Sequence, residues 1–417
     1  MTLYAIKIIF YRVTVMMRVN QIFFRKEKKF SVLLFKISLI FWIFFITSAP
    51  SLAKNLPIER LKLPPHFSIS VYANNIKDAR GLTIGNEGTV FVGSNTAGNV
   101  YAILPNRSHP ASDERTVKII ASGLNQPHGV AFHKGALYVA TVDQILRYDD
   151  IEKHLDDPPV AKIVTDDFPT SLPGAPKEYF TRHSMKTIRF SPDGKLYIAI
   201  GAPCDACLSQ DPRLATIMRM NIDGSEMEIY AKGIRNSVGF DWDPLTHELW
   251  FTDNGRDRMG DNMPPDKLDY APTKGLDFGF PYYHAKDANG NPIPDPKYGK
   301  QRSPGGITWP ALALPAHVAA LGMTFYTGKM FPAIYQNQII IAEHGSWNRS
   351  KKVGYRLTLV KLDKNRRPIS YEAFITGWEE NEKVWGRPVA IDMMPDGSLL
   401  VSDDHAGAVY RITYSKT

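Results

Sequence analysis

Thr187-Ile-Arg-Phe-Ser-Pro-Asp-Gly-Lys-Leu-Tyr-Ile-Ala-Ile200 reads as a β-hairpin. Apolar and polar residues alternate over Thr187–Phe190, and β-branched and aromatic residues dominate Lys195–Ile200. Between them proline sets φ for a turn and glycine accepts a positive φ. The same unit returns at Gly81–Ile84 with Thr89–Val92, Gly129–Phe132 with Ala136–Ala140, and Gly239–Trp242 with Glu248–Thr252. It returns again at Gly322–Phe325 with Gln338–Ala342, and at Val389–Asp392 with Ser398–Ser402, where the turn is Met-Pro-Asp-Gly. One such unit cannot bury both of its faces alone, so six copies imply an all-β, six-bladed β-propeller. An open sandwich or two separate β domains are the competing architectures. Phe67, Ile69 and Val71 alternate near one end of the chain, and Tyr410, Ile412 and Tyr414 near the other. They are expected to complete one blade together and close the ring.

The rhythm breaks once. Between Asp253 and Ala320 there are ten prolines and few alternating runs. A connection of this length in a folded domain is usually functional or disordered. Its aromatics, Phe278, Phe280, Tyr282, Tyr283 and Trp309, would be costly to expose together. A long ordered insertion between blades, lid-like over one face, is the expectation.

The chain has 417 residues, 44% of them hydrophobic, and a formal net charge of +8. That composition excludes a mainly disordered chain, and two cysteines exclude a disulfide scaffold. The charge is not spread evenly. Residues 1–53 carry eight basic residues against Glu27 alone, which leaves residues 54–417 at +1. Arg25–Lys29 and Lys36 precede the apolar run Ile37–Ile46 and then Ser51-Leu-Ala53, the order of a secretory signal. The expectation is a leader over 1–53, a propeller over 54–417, and a periplasmic or secreted product that meets a membrane only through an uncleaved leader. Basic residues of the remainder are scattered without an aromatic stripe, so nucleic acid is a poor partner.

Propeller sites form where loops of several blades meet the central channel. His183, before the third copy, could act as a general base, since its ordinary pKa lies near neutrality. A solvated loop histidine is the plainer reading. Arg235-Asn236 stands before the fourth copy in the same relation and offers a carboxylate fork beside an amide. Asp253-Asn-Gly-Arg-Asp257, with Gly260-Asp-Asn262 and Asp266, is dense in oxygen ligands of the kind a hard cation wants. An acidic turn after a strand reads equally well. Glu343-His-Gly-Ser-Trp-Asn-Arg349 follows a strand, Gly386-Arg-Pro388 and Asp403-Asp-His405 bracket the sixth copy, and His128 precedes the second. Cys204-Asp-Ala-Cys207 lacks the following histidine of a haem site, so a local disulfide is expected.

Arg235–Pro244, Leu249–Asp257, Phe278–Pro281, Ala342–Arg349 and Gly386–Val389 together resemble the pyrroloquinoline quinone (PQQ)-dependent sugar dehydrogenases. The sorbosone and pyranose dehydrogenases are the most similar branch. The resemblance covers about residues 60–415 and implies a six-bladed propeller that oxidises a sugar hydroxyl or hydrated aldehyde by hydride transfer to PQQ. Residue by residue, it places the base at His183 and cofactor contacts at Arg235, Asn236 and Arg387, with Arg349 standing in for a further cation. It places Ca²⁺ on main-chain carbonyls at Gly255 and Arg256. With no haem motif in the chain, electrons would leave to a separate acceptor. A calcium-dependent lactonase-like hydrolase and a non-catalytic binding propeller are the alternatives.

Overall fold

The hairpin at 187–200 forms as its alternation dictates: Thr187–Phe190 runs antiparallel to Leu196–Ile200, with Thr187 opposite Ala199. In the computed structural model, which describes residues 56–106, 115–169 and 182–416, every copy of the repeat does the same. These residues lie within the compact unit Lys54–Thr417, and the expected leader lies outside them.

Each hairpin supplies the two inner strands of a four-stranded antiparallel sheet, or blade. Blade one holds Ala79–Ile84, Val90–Ser94, Val100–Ile103 and Val117–Ala121. Blade two holds Gly129–His133, Ala136–Ala140, Ile145–Tyr148 and Lys162–Thr165. Blade three holds Thr187–Phe190, Leu196–Ile200, Thr216–Met220 and Glu228–Lys232, and blade four Phe240–Trp242, Leu249–Asp253, Lys267–Ala271 and Leu312–Ala313. Blade five holds Ala320–Phe325, Ile339–Glu343, Arg356–Leu362 and Pro368–Ile375. The last joins Pro388–Met393, Leu399–Asp403 and Ala408–Tyr414 to Phe67–Ala73 from the other end of the chain. The closing register sets Phe67 opposite Tyr414, Ile69 opposite Ile412 and Val71 opposite Tyr410, the residues whose alternation pointed to it.

The second strand of every blade is buried at all five of its residues. Strands buried on both faces read as continuous apolar runs. Within Val90–Ser94, Val90 and Val92 join the core shared with the last blade, while Phe91 joins the core shared with blade two. Six such cores lie one between each neighbouring pair of blades, which is the arrangement of a closed ring and not of a sandwich.

The repeated glycine has a packing reason. A Cβ on Gly129 would stand 2.4 Å from the Lys186 carbonyl oxygen, and one on Gly239 2.3 Å from that of Leu321. Neighbouring inner strands approach too closely there for any side chain. They enclose a channel cavity of about 200 Å³. Arg189 lies in it between Asp241 and Asp392, at 3.6 and 3.7 Å.

The stretch from Asp253 to Ala320 contains the third and fourth strands of blade four, so the excursion proper spans 272–311. Leu276–Asp277 adds a parallel strand to the edge of blade three, and Tyr283–Lys286 pairs with Pro292–Pro294. Phe278, Phe280 and Tyr283 are buried, as aromatics in an ordered segment should be.

Candidate active site

Antiparallel pairing brings the start of each inner strand and the end of each second strand to the same mouth of the channel. A cavity of about 200 Å³ opens there, lined by His183, Arg235, Asn236, Asn254, Gly255, Asp257, Asp266, His317, Ala319, Gly345, Trp347 and Asn348. It draws on blades three, four and five. Of the residues singled out from the sequence, it brings together His183, Arg235, Asn236, Asn254, Gly255, Asp257 and Asp266, with Gly345, Trp347 and Asn348 from the Glu343–Arg349 stretch.

His183 adopts a positive φ of 50° ahead of its strand. Its Nδ1 lies 2.8 Å from the Ala202 carbonyl oxygen. A carbonyl only accepts, so Nδ1 carries the proton and Nε2 the lone pair. Burial, and then the Arg235 guanidinium, hold the imidazole down to about 3, so it is neutral at physiological pH. Gly201 leaves room for it: a Cβ there would come within 2.5 Å of the His183 Cβ.

Arg235-Asn236 is held from two sides. Asp253, the last residue of its strand, accepts the Arg235 N–H at 3.2 Å and the Asn236 N–H at 2.7 Å. Lys267 neutralises Asp253 at 2.6 Å. The guanidinium is buried; its Nε donates to the Asp205 carbonyl oxygen and its Nη2 to Asp205 Oδ1, both at 2.8 Å, and Nη1 donates to the Asn254 oxygen at 3.3 Å. Asp257 stands 3.5 Å from Nη2. Burial pushes the Asp205 carboxyl up, but the Asp257 N–H and the Arg235 and Arg256 charges outweigh it and hold it below the usual carboxylate range. Asp257 beside it is raised, mainly by burial.

Gly255 donates its N–H to Asp266 Oδ1 at 2.7 Å, and Ala319 donates to Oδ2 at 2.7 Å. Burial raises Asp266 to about 6 despite both donors. The Arg256 side chain turns away to Asp295 at 2.6 Å and Asp205 at 3.4 Å, tying the excursion to the site. Among the described residues no hydrogen bond ends on the carbonyl oxygen of Gly255 or Arg256, and no group of three or more His, Cys, Asp or Glu is poised for a metal. A hard cation here would therefore rely on carbonyls, which suits Ca²⁺.

A second cluster spans the remaining blades at the same mouth. Arg80 Nη1 reaches Asp404 Oδ2 at 2.5 Å, and His344 Nε2 reaches Asp404 Oδ1 at 2.9 Å. Burial raises Asp404, but His344 and Arg80 together hold it well below the carboxylate range. Arg80 Nε donates to His128 Nδ1 at 3.2 Å, which leaves the proton of that imidazole on Nε2, facing Thr187 Oγ1 at 3.2 Å. Arg80 was missed in the sequence, although a signal existed. Aligned copies put Arg80, His128 and Lys186 directly before Gly81, Gly129 and Thr187. Lys186 is buried, its ammonium donating to the Ser184 oxygen at 2.7 Å, and burial lowers it to about 8.

Arg387 stands before the inner strand of the last blade, and its buried Nε has no hydrogen-bond partner among the described residues. Arg349 is placed differently. It donates to the Asp261 oxygen at 2.8 Å and to Asn262 Oδ1 at 3.3 Å, clamping the loop between the second and third strands of blade five to the segment after Asp257; like Arg387, it is absent from the wall of the cavity around His183. The expected disulfide joins Cys204 to Cys207.

The family model for glucose / sorbosone dehydrogenase matches residues 165–411. The chain belongs to the glucose/sorbosone dehydrogenase family. An uncharacterised protein of Borreliella burgdorferi is 34% identical over 387 residues, covering 91% of this chain and 97% of the relative. The holo form of the pyranose dehydrogenase PQQ domain from Coprinopsis cinerea shares the fold with a TM-score of 0.70 at 18% identity, over 85% of this chain and 97% of that one. A calcium structure of a Trichoderma reesei family AA12 carbohydrate-active enzyme superposes with a TM-score of 0.70 at 17% identity, over 85% and 97% of the two chains. The family marks an oxidoreductase of the sugar dehydrogenase type, and the solved structures share its propeller fold.

Proposed function

We propose that the chain oxidises a sugar at a hydroxyl or hydrated-aldehyde carbon, with His183 as general base, PQQ as hydride acceptor and Ca²⁺ beside it. One observation carries the reading: the imidazole of His183 is neutral, protonated at Nδ1 by its bond to Ala202, and lines a cavity shared with Arg235 and Asn236. When bound, PQQ supplies an electrophilic quinone carbon that takes the hydride pair, the neighbouring cation polarising its carbonyl.

The residues fit such a group. PQQ is polyanionic; Arg235 lines the cavity, and Arg80 and Arg387 stand at the starts of the inner strands of two other blades, at the same end of the ring. The partnerless Nε of Arg387 and the unclaimed carbonyls of Gly255 and Arg256 are the donor and acceptors that a carboxylate and a hard cation require. His183 Nε2 takes the hydroxyl proton of the sugar, and the Ala202 carbonyl steadies the resulting imidazolium through Nδ1–H. Arg235 opposes that charge, so an anion placed against Arg235 strengthens the base. Trp347, exposed at the cavity rim, offers a flat apolar face of the kind sugars stack on. A Cys204–Cys207 disulfide and the leader-like residues 1–53 support an oxidising, extracytoplasmic compartment.

The test is reconstitution. Apo-protein supplied with PQQ and Ca²⁺ is expected to reduce an artificial dye with aldoses, and His183→Ala to abolish this without loss of the fold. Full activity in His183→Ala would overturn the assignment, and lactone hydrolysis without quinone would replace it.

A further inference from the structure

We propose that the segment Gly201–Cys207, whose far end the Cys204–Cys207 disulfide closes, sets the reactive state of this cavity, Asp205 within the closed ring positioning Arg235 and Ala202 ahead of it positioning His183, so that opening Cys204–Cys207 weakens cofactor binding. The inference rests on the PQQ reading above and adds the element that assembles the site.

No strand crosses the stretch between Ile200 and Thr216, so no ladder of β hydrogen bonds holds it. What it does hold is the chemistry on both sides. Ala202 accepts from His183 Nδ1 at 2.8 Å and donates its own N–H to the Arg235 carbonyl at 2.7 Å. Three residues on, Asp205 takes Arg235 through its main-chain oxygen and through Oδ1, both at 2.8 Å. The same Oδ1 accepts the Asp257 N–H at 2.8 Å, and Oδ2 faces Arg256 at 3.4 Å. One short segment thus selects the tautomer of the base and the orientation of the guanidinium. Asp205 lies inside the ring closed by Cys204 and Cys207, so the disulfide restricts the backbone torsions that aim both its carbonyl and its carboxylate. Cys204 is buried, and Ala202 and Ala215 pack with Phe280 of the excursion. Reduction by a dithiol takes two electrons and two protons, breaks the S–S bond and leaves two thiols, the reagent departing as its own disulfide. It frees Asp205 without removing any of its donors or acceptors.

The experiment uses the full chain in three forms: wild type, Cys204→Ser with Cys207→Ser, and Asp205→Asn. Affinity for PQQ in the presence of Ca²⁺ is read by tryptophan quenching, and the His183 tautomer by ¹⁵N histidine spectra of the cofactor-free protein, assigned with His183→Gln. Losing one charge-assisted hydrogen bond to the cofactor costs about tenfold to a hundredfold in affinity. The cysteine variant and dithiol-treated wild type are expected to bind PQQ at least about tenfold more weakly and to lose the single Nδ1-protonated signal. Asp205→Asn should weaken PQQ while keeping that signal. Wild-type affinity and an unchanged His183 spectrum in the cysteine variant overturn the proposal, whatever its unfolding temperature. If wild type itself fails to bind PQQ, the functional reading falls, and the tautomer comparison still decides the positioning role.

Discussion

Gly201→Ala tests the site through a single methyl group. Gly201 has no positive φ to lose, so the substitution acts by volume alone. The new Cβ would stand 2.5 Å from His183 Cβ, 2.8 Å from the His183 oxygen and 3.0 Å from Asn236 Oδ1. Carbon atoms rest at about 3.5–4.0 Å, so His183 must retreat by about 1 Å. Its backbone already occupies the left-handed region at φ 50° and has little room to adjust. Retreat stretches the 2.8 Å bond to Ala202 and moves Nε2 relative to Arg235 and Asn236. A displacement of about 1 Å at a reacting group costs roughly a hundredfold in rate, or about 2.7 kcal/mol. Overpacking costs the fold about 1–3 kcal/mol as well. The assay is kcat/KM of reconstituted protein with an aldose and an electron-accepting dye, alongside thermal unfolding. Gly322→Ala serves as the comparison, because its Cβ would meet Val389 O at 2.6 Å on the channel wall. It should lower the unfolding temperature and leave the activity of the folded fraction. Wild-type kcat/KM in Gly201→Ala would refute the reasoning.

Two further outcomes follow from the charges. His183 falls from its ordinary 6.5 to about 3 on folding, so the unfolded chain binds its proton first as pH drops. Its contribution is full above about pH 6.5 and is lost progressively toward pH 3, roughly 3 kcal/mol of it by pH 4.5; urea unfolding of apo-protein at pH 7 and 4.5 should show that loss shrink in His183→Gln, and an equal loss would contradict it. Arg387→Ala should raise the Kd for PQQ about tenfold to a hundredfold, the worth of one charge-assisted hydrogen bond, with the melting curve little changed; unaltered affinity by fluorescence titration would remove Arg387 from the cofactor site.

The blades were legible because each rests on local rules. Alternation, a Pro-Asp-Gly turn and an apolar run specify a hairpin wherever they occur, and Gly129 or Gly239 marks where two inner strands nearly touch. The closing pairs Phe67–Tyr414 and Val71–Tyr410 were legible too, since both segments alternate and one blade lacked a strand. The cavity lining was legible only where a motif carried it, at His183, Arg235-Asn236, Asn254, Gly255, Asp257, Asp266, Gly345, Trp347 and Asn348. What stayed hidden depends on convergence across blades. Nothing near Asp205 announces that it would reach Arg235, and nothing joins Arg80 to Asp404 except the closed ring. Arg349 shows the converse: a cation at a promising position in sequence whose side chain is drawn to Asp261 and Asn262 instead.

The shared last blade has a consequence for how the molecule comes into being. Phe67 sits among Phe331, Tyr335, Phe374 and Tyr414, with ring centroids 4.8 to 5.3 Å away. Those partners lie more than 260 residues further along the chain, so an early strand must wait, unpaired, until they are made. Loop-closure entropy grows only slowly with the span, so the delay is costly in time more than in free energy. Until the latch engages, the two cores that flank the final blade stay wet and the channel mouth lacks Arg387 and Asp404. Closure of the ring is thereby tied to synthesis of the stretch up to Tyr414: a chain cut before it holds five complete blades and an open last one.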